Sequence, residues 1–370
     1  MKKRDSIGFL SSLFAIFVGL LVGFVILLVS NPTESVHGFV TILTGPLTHD
    51  MKGLGQVFYY ATPIILTGLS VGFAFKTGLF NIGASGQFIV GAFAAVVVGI
   101  RCEFLGGAQW IVALLAALLA GALWGAIPGL VKAYFNVNEV IACIMTNYIG
   151  MYLVNFLIST NTNLYDKIYN YTKTVANTAN IPKMGLDVLF PGSSVNGGFF
   201  VAVVAVVVIY VLLEKTTFGY ELKAAGYNKD ASKYAGMNEK RNIILSMAIA
   251  GALSGMAGAL LYLAGSGKHI EVLDVLAGEG FTGISVALLG LSHPIGVLLS
   301  GIFIAYITAG GFYLQLLNFS TEVIDIIIAV IIYFSAFSLF ARGYILKMRR
   351  KREERNGNGA ADANREGGKK

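Results

Sequence analysis

Charge is what this sequence has least of. Asp, Glu, Lys and Arg make up 13% of its 370 residues, about half the ~25% usual in a soluble protein. A soluble globule of this size could not cover its surface with so few ionic groups. A chain that is 56% hydrophobic is not a disordered one either. Cysteine is equally scarce. Cys143 falls inside an apolar run and Cys102 just after one, which argues against a disulfide framework. The histidines, His37, His49, His269 and His293, are scattered, and none stands at metal-ligand spacing from another ligand. No metal or cofactor is expected. No Ser–His–Asp or Cys–His arrangement is visible, so the expectation is a protein that is not an enzyme.

What the chain has in quantity is apolar length. Its mean hydropathy is +0.72, and its 45 glycines fit the high Gly content of membrane helices. A bilayer core about 30 Å thick needs roughly 20 apolar residues of helix. Stretches free of charge centre on residues 7–30, 57–75, 84–100, 110–131, 140–159, 199–213 and 242–265, and a last apolar stretch at 323–341 has Asp325 near its start. The interval between Glu279 and Glu322 has no Asp, Glu, Lys or Arg and is long enough for two crossings, divided by His293 and Pro294. The expected fold is therefore all-α: a polytopic membrane protein with about ten transmembrane helices. The third and eighth crossings are short enough to be re-entrant. The first run is too long for a cleaved signal peptide and reads as an uncleaved anchor.

Orientation follows from the basic residues. With both termini in the cytoplasm, 21 of the 27 Lys and Arg lie inside, and six lie outside: Lys52, Arg101, Lys167, Lys173, Lys183 and Lys268. The basic excess is thus mainly a topology signal, and the tail at 347–355 also fits anionic membrane lipid. No nucleic-acid-binding module is visible, so nucleic acid is not an expected partner.

Two features are not generic. Residues 214–241 form a cytoplasmic segment whose pieces 221–226 and 231–236 read as short helices ended by Gly. Their small residues suit close docking to a partner. The second feature is a pair of polar, Gly-rich stretches, GLFNIGASGQ at 78–87 and GEGFTGISVALLG at 278–290, one in each half of the chain. Irregular backbone at membrane depth is tolerated where it is buried in protein or lines a cavity. Interrupted segments in matching halves point to a transport pathway. Asn81, Ser85, Gln87 and Asn147 are the polar residues expected to line it, with Phe281 as a stacking surface; hydrogen bonding between helices is the competing role for each polar residue. Glu139, Glu279, Glu322 and Asp325 all lie near predicted span ends. A proton- or sodium-coupled carrier usually needs carboxylates near the midplane, so coupling energy is expected to come from a partner.

Several motifs are discounted. Gly278-x-Gly280-x-x-Gly283 matches the dinucleotide fingerprint but follows no strand. In the stretch ending at Lys268, Tyr262 replaces the first Gly of a phosphate loop and His269 replaces its Ser or Thr. Gly121-x-x-x-Gly125 and Gly251-x-x-x-Gly255 read as close helix-packing motifs.

Four segments in order carry a resemblance. They are residues 78–87 with their continuation FIVGAFAA, EVIACIMTNY at 139–148, GYELKAAGYNKDASKYAG at 219–236 followed by MAIAGALSGMAGAL, and FTGISVALLGLSHPIG at 281–296. Together they resemble the permease subunits of ABC importers for nucleosides, simple sugars and branched-chain amino acids, nearest the nucleoside branch. That branch often carries an acid where Ser85 and Thr282 stand. The resemblance covers about residues 52–340, and the expected domains are an anchor and outer loop at 1–51, a permease domain at 52–341 and a basic cytoplasmic tail at 342–370 that is not part of the match. The resemblance implies nucleoside import across the bacterial cytoplasmic membrane by alternating access. Two cytoplasmic ATP-binding subunits would dock on a coupling element that includes Glu221, Ala224, Ala225, Gly226, Ala235 and Gly236. A second permease, identical or different, and a solute-binding lipoprotein or periplasmic protein would complete the importer. The alternatives are a sugar or branched-chain amino acid importer of the same architecture, or an autonomous secondary carrier.

Overall fold

The computed structural model describes residues 2–48 and 50–317, together with 319–320, 323, 326–327, 329–330, 333–334 and 347–348. Most of the expected last crossing at 323–341, Glu322, Asp325 and nearly all of the basic tail lie outside the described residues. Thirteen helices are named here: α1 (Lys2–Ser30), α2 (Ser35–Thr48), α3 (Asp50–Lys76), α4 (Ala84–Arg101), α5 (Gln109–Phe135), α6 (Glu139–Ser159), α7 (Leu186–Leu189), α8 (Gly198–Lys215), α9 (Thr217–Tyr227), α10 (Lys229–Tyr234), α11 (Glu239–Tyr262), α12 (Gly278–Leu289) and α13 (Pro294–Tyr313). Among the described residues, α3, α4, α5, α6, α8, α11 and α13 are long and apolar enough to cross a membrane. The chain is an all-α polytopic membrane protein.

The expected spans and helices agree to within a few residues because charge ends most of them. Lys76, Arg101 and Lys132 stand in the last turns of α3, α4 and α5. The turn at His293 and Pro294 divides α12 from α13, with proline at the start of α13, where its missing N–H costs nothing.

Small residues draw the centre together. Gly121 and Gly125 of α5 face Gly251 and Gly255 of α11. A Cβ on Gly121 would stand 2.3 Å from the Gly251 carbonyl oxygen, and one on Gly91 of α4 would stand 2.2 Å from the Gly255 Cα. The two packing motifs therefore meet each other, and only glycine permits this approach. On the other side, α3 is almost wholly buried and runs antiparallel to α13. Gly68 abuts Val297, Gly301 abuts Ile65, and Tyr60 stacks on Phe312 at 5.2 Å.

Two features depart from expectation, and the eighth crossing is short, as expected. The segment expected as an outer loop before residue 52 forms α2, which buries Ser35, Gly38, Ile42, Gly45 and Pro46; Gly38, Ile42 and Gly45 pack on α13, Leu314 and Phe319, and Pro46 on Gly53 of α3. Its apolar residues at helical spacing include the exposed Val36, Val40 and Leu47, whereas glycine provides much of the buried face. The eighth expected crossing is only 12 residues of helix, α12, or about 18 Å at 1.5 Å per residue. That is too short to span alone. The polar stretch at 160–196 is partly ordered as the hairpin β1 (Tyr165–Asp166) and β2 (Tyr171–Thr172) and as α7.

Candidate functional site

Between α3 and α4 the chain runs as irregular backbone, and this is where four of the five expected pathway residues meet. Asn81 is fully buried. Its Nδ2 donates to Ser70 Oγ (3.0 Å) and to Gln87 Oε1 (2.8 Å), and Gln87 Nε2 donates back to Asn81 Oδ1 (3.0 Å). Ser254 of α11 donates to Ser70 at 2.8 Å. Ser70 lies six residues before the end of α3, about 9 Å along the axis, so the 77–83 segment folds back alongside the last turns of α3. Asn147 of α6 caps the same turn. Its Oδ1 accepts the Gly86 N–H (2.8 Å) and its Nδ2 donates to the Ile82 carbonyl (3.0 Å). These bonds supply backbone partners that water cannot supply inside a bilayer.

Ser85 links this turn to the other half of the chain. Its hydroxyl donates to the Ala277 carbonyl at 2.8 Å, and Gly280 lies so close that a Cβ there would sit 2.4 Å from the Ser85 amide nitrogen. The two Gly-rich stretches thus touch. Asn81, Ser85, Gln87 and Asn147 are buried and hydrogen-bonded to protein groups, whereas Phe281 stands apart, 40% exposed on α12. Sequence reasoning missed Ser70, Ser254, Thr77 and Ser246. The Thr77 and Ser246 hydroxyls are hydrogen-bonded to each other, and together these residues tie α3 to α11. Hydroxyls in apolar spans were the available signal.

A cavity of about 610 Å³ opens at the end of α11 remote from α9. It is lined by Tyr171, Tyr262, Lys268, His269, Glu271, Ala277 and Glu279, among others. Its wall is the non-helical run between α11 and α12, held by backbone bonds to the hairpin: Thr172 N–H to Ile270, and Val272 N–H to Asn170, both 3.0 Å. Ala277 belongs both to the cavity and to the Ser85 contact.

The expected coupling element lies at the opposite end. Asn228 and Asn238 cap α10 and α11 through side-chain oxygens. Gly226 does not end its helix, as the sequence suggested, but sits inside α9, which runs on to Tyr227. It packs backbone to backbone on the turn after α3: a Cβ there would lie 2.6 Å from the Thr77 carbonyl carbon and 2.7 Å from the Gly78 nitrogen. Gly236 does follow α10, at φ +82° with open space around it. Glu221, Ala224 and Ala225 are half-buried, and Ala235 is exposed. Tyr220, Tyr227 and Tyr234 project outward, the last two 87% and 94% exposed. Thus α9 touches the 77–78 turn, the turn leads to Asn81 and Gln87, Ser85 reaches Ala277, and Ala277 borders the cavity.

Residues 53–336 match the family described as branched-chain amino acid transport system / permease component. The chain is 39% identical over 352 residues to the guanosine ABC transporter permease protein NupP of Bacillus subtilis (strain 168), covering 95% of this chain and 99% of that protein. It is 32% identical to the nucleoside ABC transporter permease protein NupB of Lactococcus lactis subsp. cremoris (strain MG1363), over 88% of this chain and 89% of that protein. It is 31% identical to the glucose ABC transporter permease protein TsgB13 of Haloferax volcanii, over 89% of this chain and 87% of that protein. No solved structure matches.

Proposed function

The chain belongs to the family of branched-chain amino acid transport system permease components, and from that premise we propose that it is the membrane-spanning subunit of an ATP-driven nucleoside importer. Two relatives that cover nearly its whole length are named for guanosine and nucleoside transport, which favours nucleosides over the glucose of a third. In this reading both termini are cytoplasmic, two ATP-binding subunits dock on α9 and α10, and a second permease and a solute-binding protein complete the assembly.

The observation that carries the coupling role is the Gly226 contact. A helix pair that offers three exposed tyrosines to a partner also rests, backbone on backbone, on the turn that holds the Asn81–Gln87 pair. Aromatic side chains at this exposure suit the anchors of a protein interface. A push on α9 therefore reaches the irregular segments without passing through flexible side chains. In this account Asn81, Ser85, Gln87 and Asn147 hold the wall of the pathway. Alternating access then exchanges their partners, and Phe281, apart from them on α12, offers an exposed apolar surface.

The test is uptake in a strain that lacks this chain. Labelled guanosine, adenosine, uridine, ribose, glucose and leucine are offered with and without restoration of the chain. Restoration of guanosine uptake, competed by other nucleosides and not by glucose or leucine, is the expected result. Restoration of glucose or leucine uptake alone would move the protein to another branch.

A further inference from the structure

The cavity beside α12 has a chemistry more specific than a passage needs. Tyr169, Tyr171 and His269 form a run of near-parallel rings: Tyr169 and Tyr171 lie 5.3 Å apart at 9°, and Tyr171 and His269 lie 4.4 Å apart at 15°. Two of these rings, Tyr171 and His269, line the cavity. The backbone bonds between the hairpin and 270–272 fix the platform. Gly267, at φ +73° with nothing within 4 Å of a Cβ position, leaves the rim open on the same side. Glu279, in the first turn of α12, lines the cavity, as do Lys268 and Glu271. That helix end favours negative charge, and the Glu279 carboxylate is in no ion pair with a described residue. The volume of about 610 Å³ falls within the ~300–1,000 Å³ of small-molecule sites.

We infer that this cavity is a purine-base subsite that selects a guanine-type edge, with the base stacked on the His269 end of the ring run and its edge held by Glu279. A flat ring adds one more member to an existing stack. An ionised carboxylate accepts and does not donate. It therefore suits the two adjacent N–H donors of guanine, N1–H and the 2-amino group. Hypoxanthine offers one of them. Adenine, with an acceptor at N1, offers neither in that position. The inference rests on the nucleoside reading and adds to it a site and an order of preference: guanosine, then inosine, then adenosine.

The experiment uses cells that carry the complete importer and lack other nucleoside uptake. KM for labelled guanosine and for labelled adenosine is measured in the same strain, so that expression level cancels in their ratio. Glu279→Gln is expected to lower the guanosine preference at least tenfold, because the new amide N–H meets a donor where the carboxylate offered an acceptor. His269→Ala is expected to raise KM for both purines about tenfold, and His269→Phe to restore them. An unchanged ratio in Glu279→Gln, or an unchanged KM in His269→Ala, overturns the subsite while leaving nucleoside import standing. Ribose competing as well as guanosine would show that the sugar is read and would also overturn it. A wild-type importer that moves no nucleoside overturns the functional reading itself, and with it the subsite.

Discussion

Replacing Gly226 with valine puts the coupling contact under direct strain. The Cβ would lie 2.6 Å from the Thr77 carbonyl carbon and 2.7 Å from the Gly78 nitrogen, where carbon contacts settle at about 3.5–4.0 Å. Both neighbours are backbone, so no side chain can turn aside. Either α9 retreats by about 1 Å or the 77–78 turn moves toward Asn81. Overpacking of this kind typically costs about 1–3 kcal/mol, and detaching α9 relieves it without unfolding the spans. The importer bearing Gly226→Val is therefore expected to assemble and hydrolyse ATP at near the wild-type rate while uptake falls at least tenfold. Gly226→Ala should fall between the two. Gly236→Ala acts differently, through its left-handed φ of +82° in open space, at about 1–2 kcal/mol, and should weaken α10 with a smaller effect on uptake. The assay is ATP hydrolysis and labelled-nucleoside uptake measured on the same membranes, with chain level checked by immunoblot. Gly226→Val with full uptake at normal level would refute the coupling argument.

Asn147→Ala leaves the Gly86 N–H and the Ile82 carbonyl without their partners. At about 1–3 kcal/mol for each buried group, the loss of thermal stability in detergent should exceed that of Asn155→Ala, whose partners are at an exposed site. Gly251→Val brings side-chain carbon against the Gly121 carbonyl oxygen, 2.2 Å from the Cβ position; the chain is expected to be lost from membranes, seen as absent monodisperse protein on size exclusion. Tyr227→Ala with Tyr234→Ala removes two fully projecting rings, and should reduce co-purification of the ATP-binding subunits while leaving the chain's melting temperature within a few degrees. Breaking one side of the buried amide pair with Asn81→Ala should lower both stability and uptake, and stability measured across the Asn81→Ala, Gln87→Ala and double variants should be non-additive.

Four spans, α3, α4, α5 and α8, were legible at their ends because a charge stands there: Lys76, Arg101, Lys132, and Glu214 with Lys215. The short helices of the coupling element were read from their glycines, of which Gly236 does follow α10; the local caps Thr216 and Asn228 start α9 and α10. The role of Gly226 was not legible, because a glycine read along the chain suggests a helix end, whereas its use here is an approach to residues nearly 150 positions earlier. The same holds for the cavity. Tyr171 and His269 are 98 residues apart, and nothing in either neighbourhood announces a stack. Asn81, Ser85, Gln87 and Asn147 were singled out as polar residues in apolar surroundings, and all four are buried. Which hydroxyls would answer them, Ser70 and Ser254, is settled by tertiary packing of helices that all look alike in composition.

The most direct test of the central claim is nucleoside accumulation in sealed proteoliposomes. They would hold the full assembly, with ATP supplied on the side of the ATP-binding subunits and the solute-binding protein on the other. The account predicts that labelled guanosine accumulates inside only when ATP is present, and that liposomes containing this chain alone show no flux above empty ones. Guanosine flux through the chain alone, without ATP or partners, would contradict it and identify an autonomous carrier.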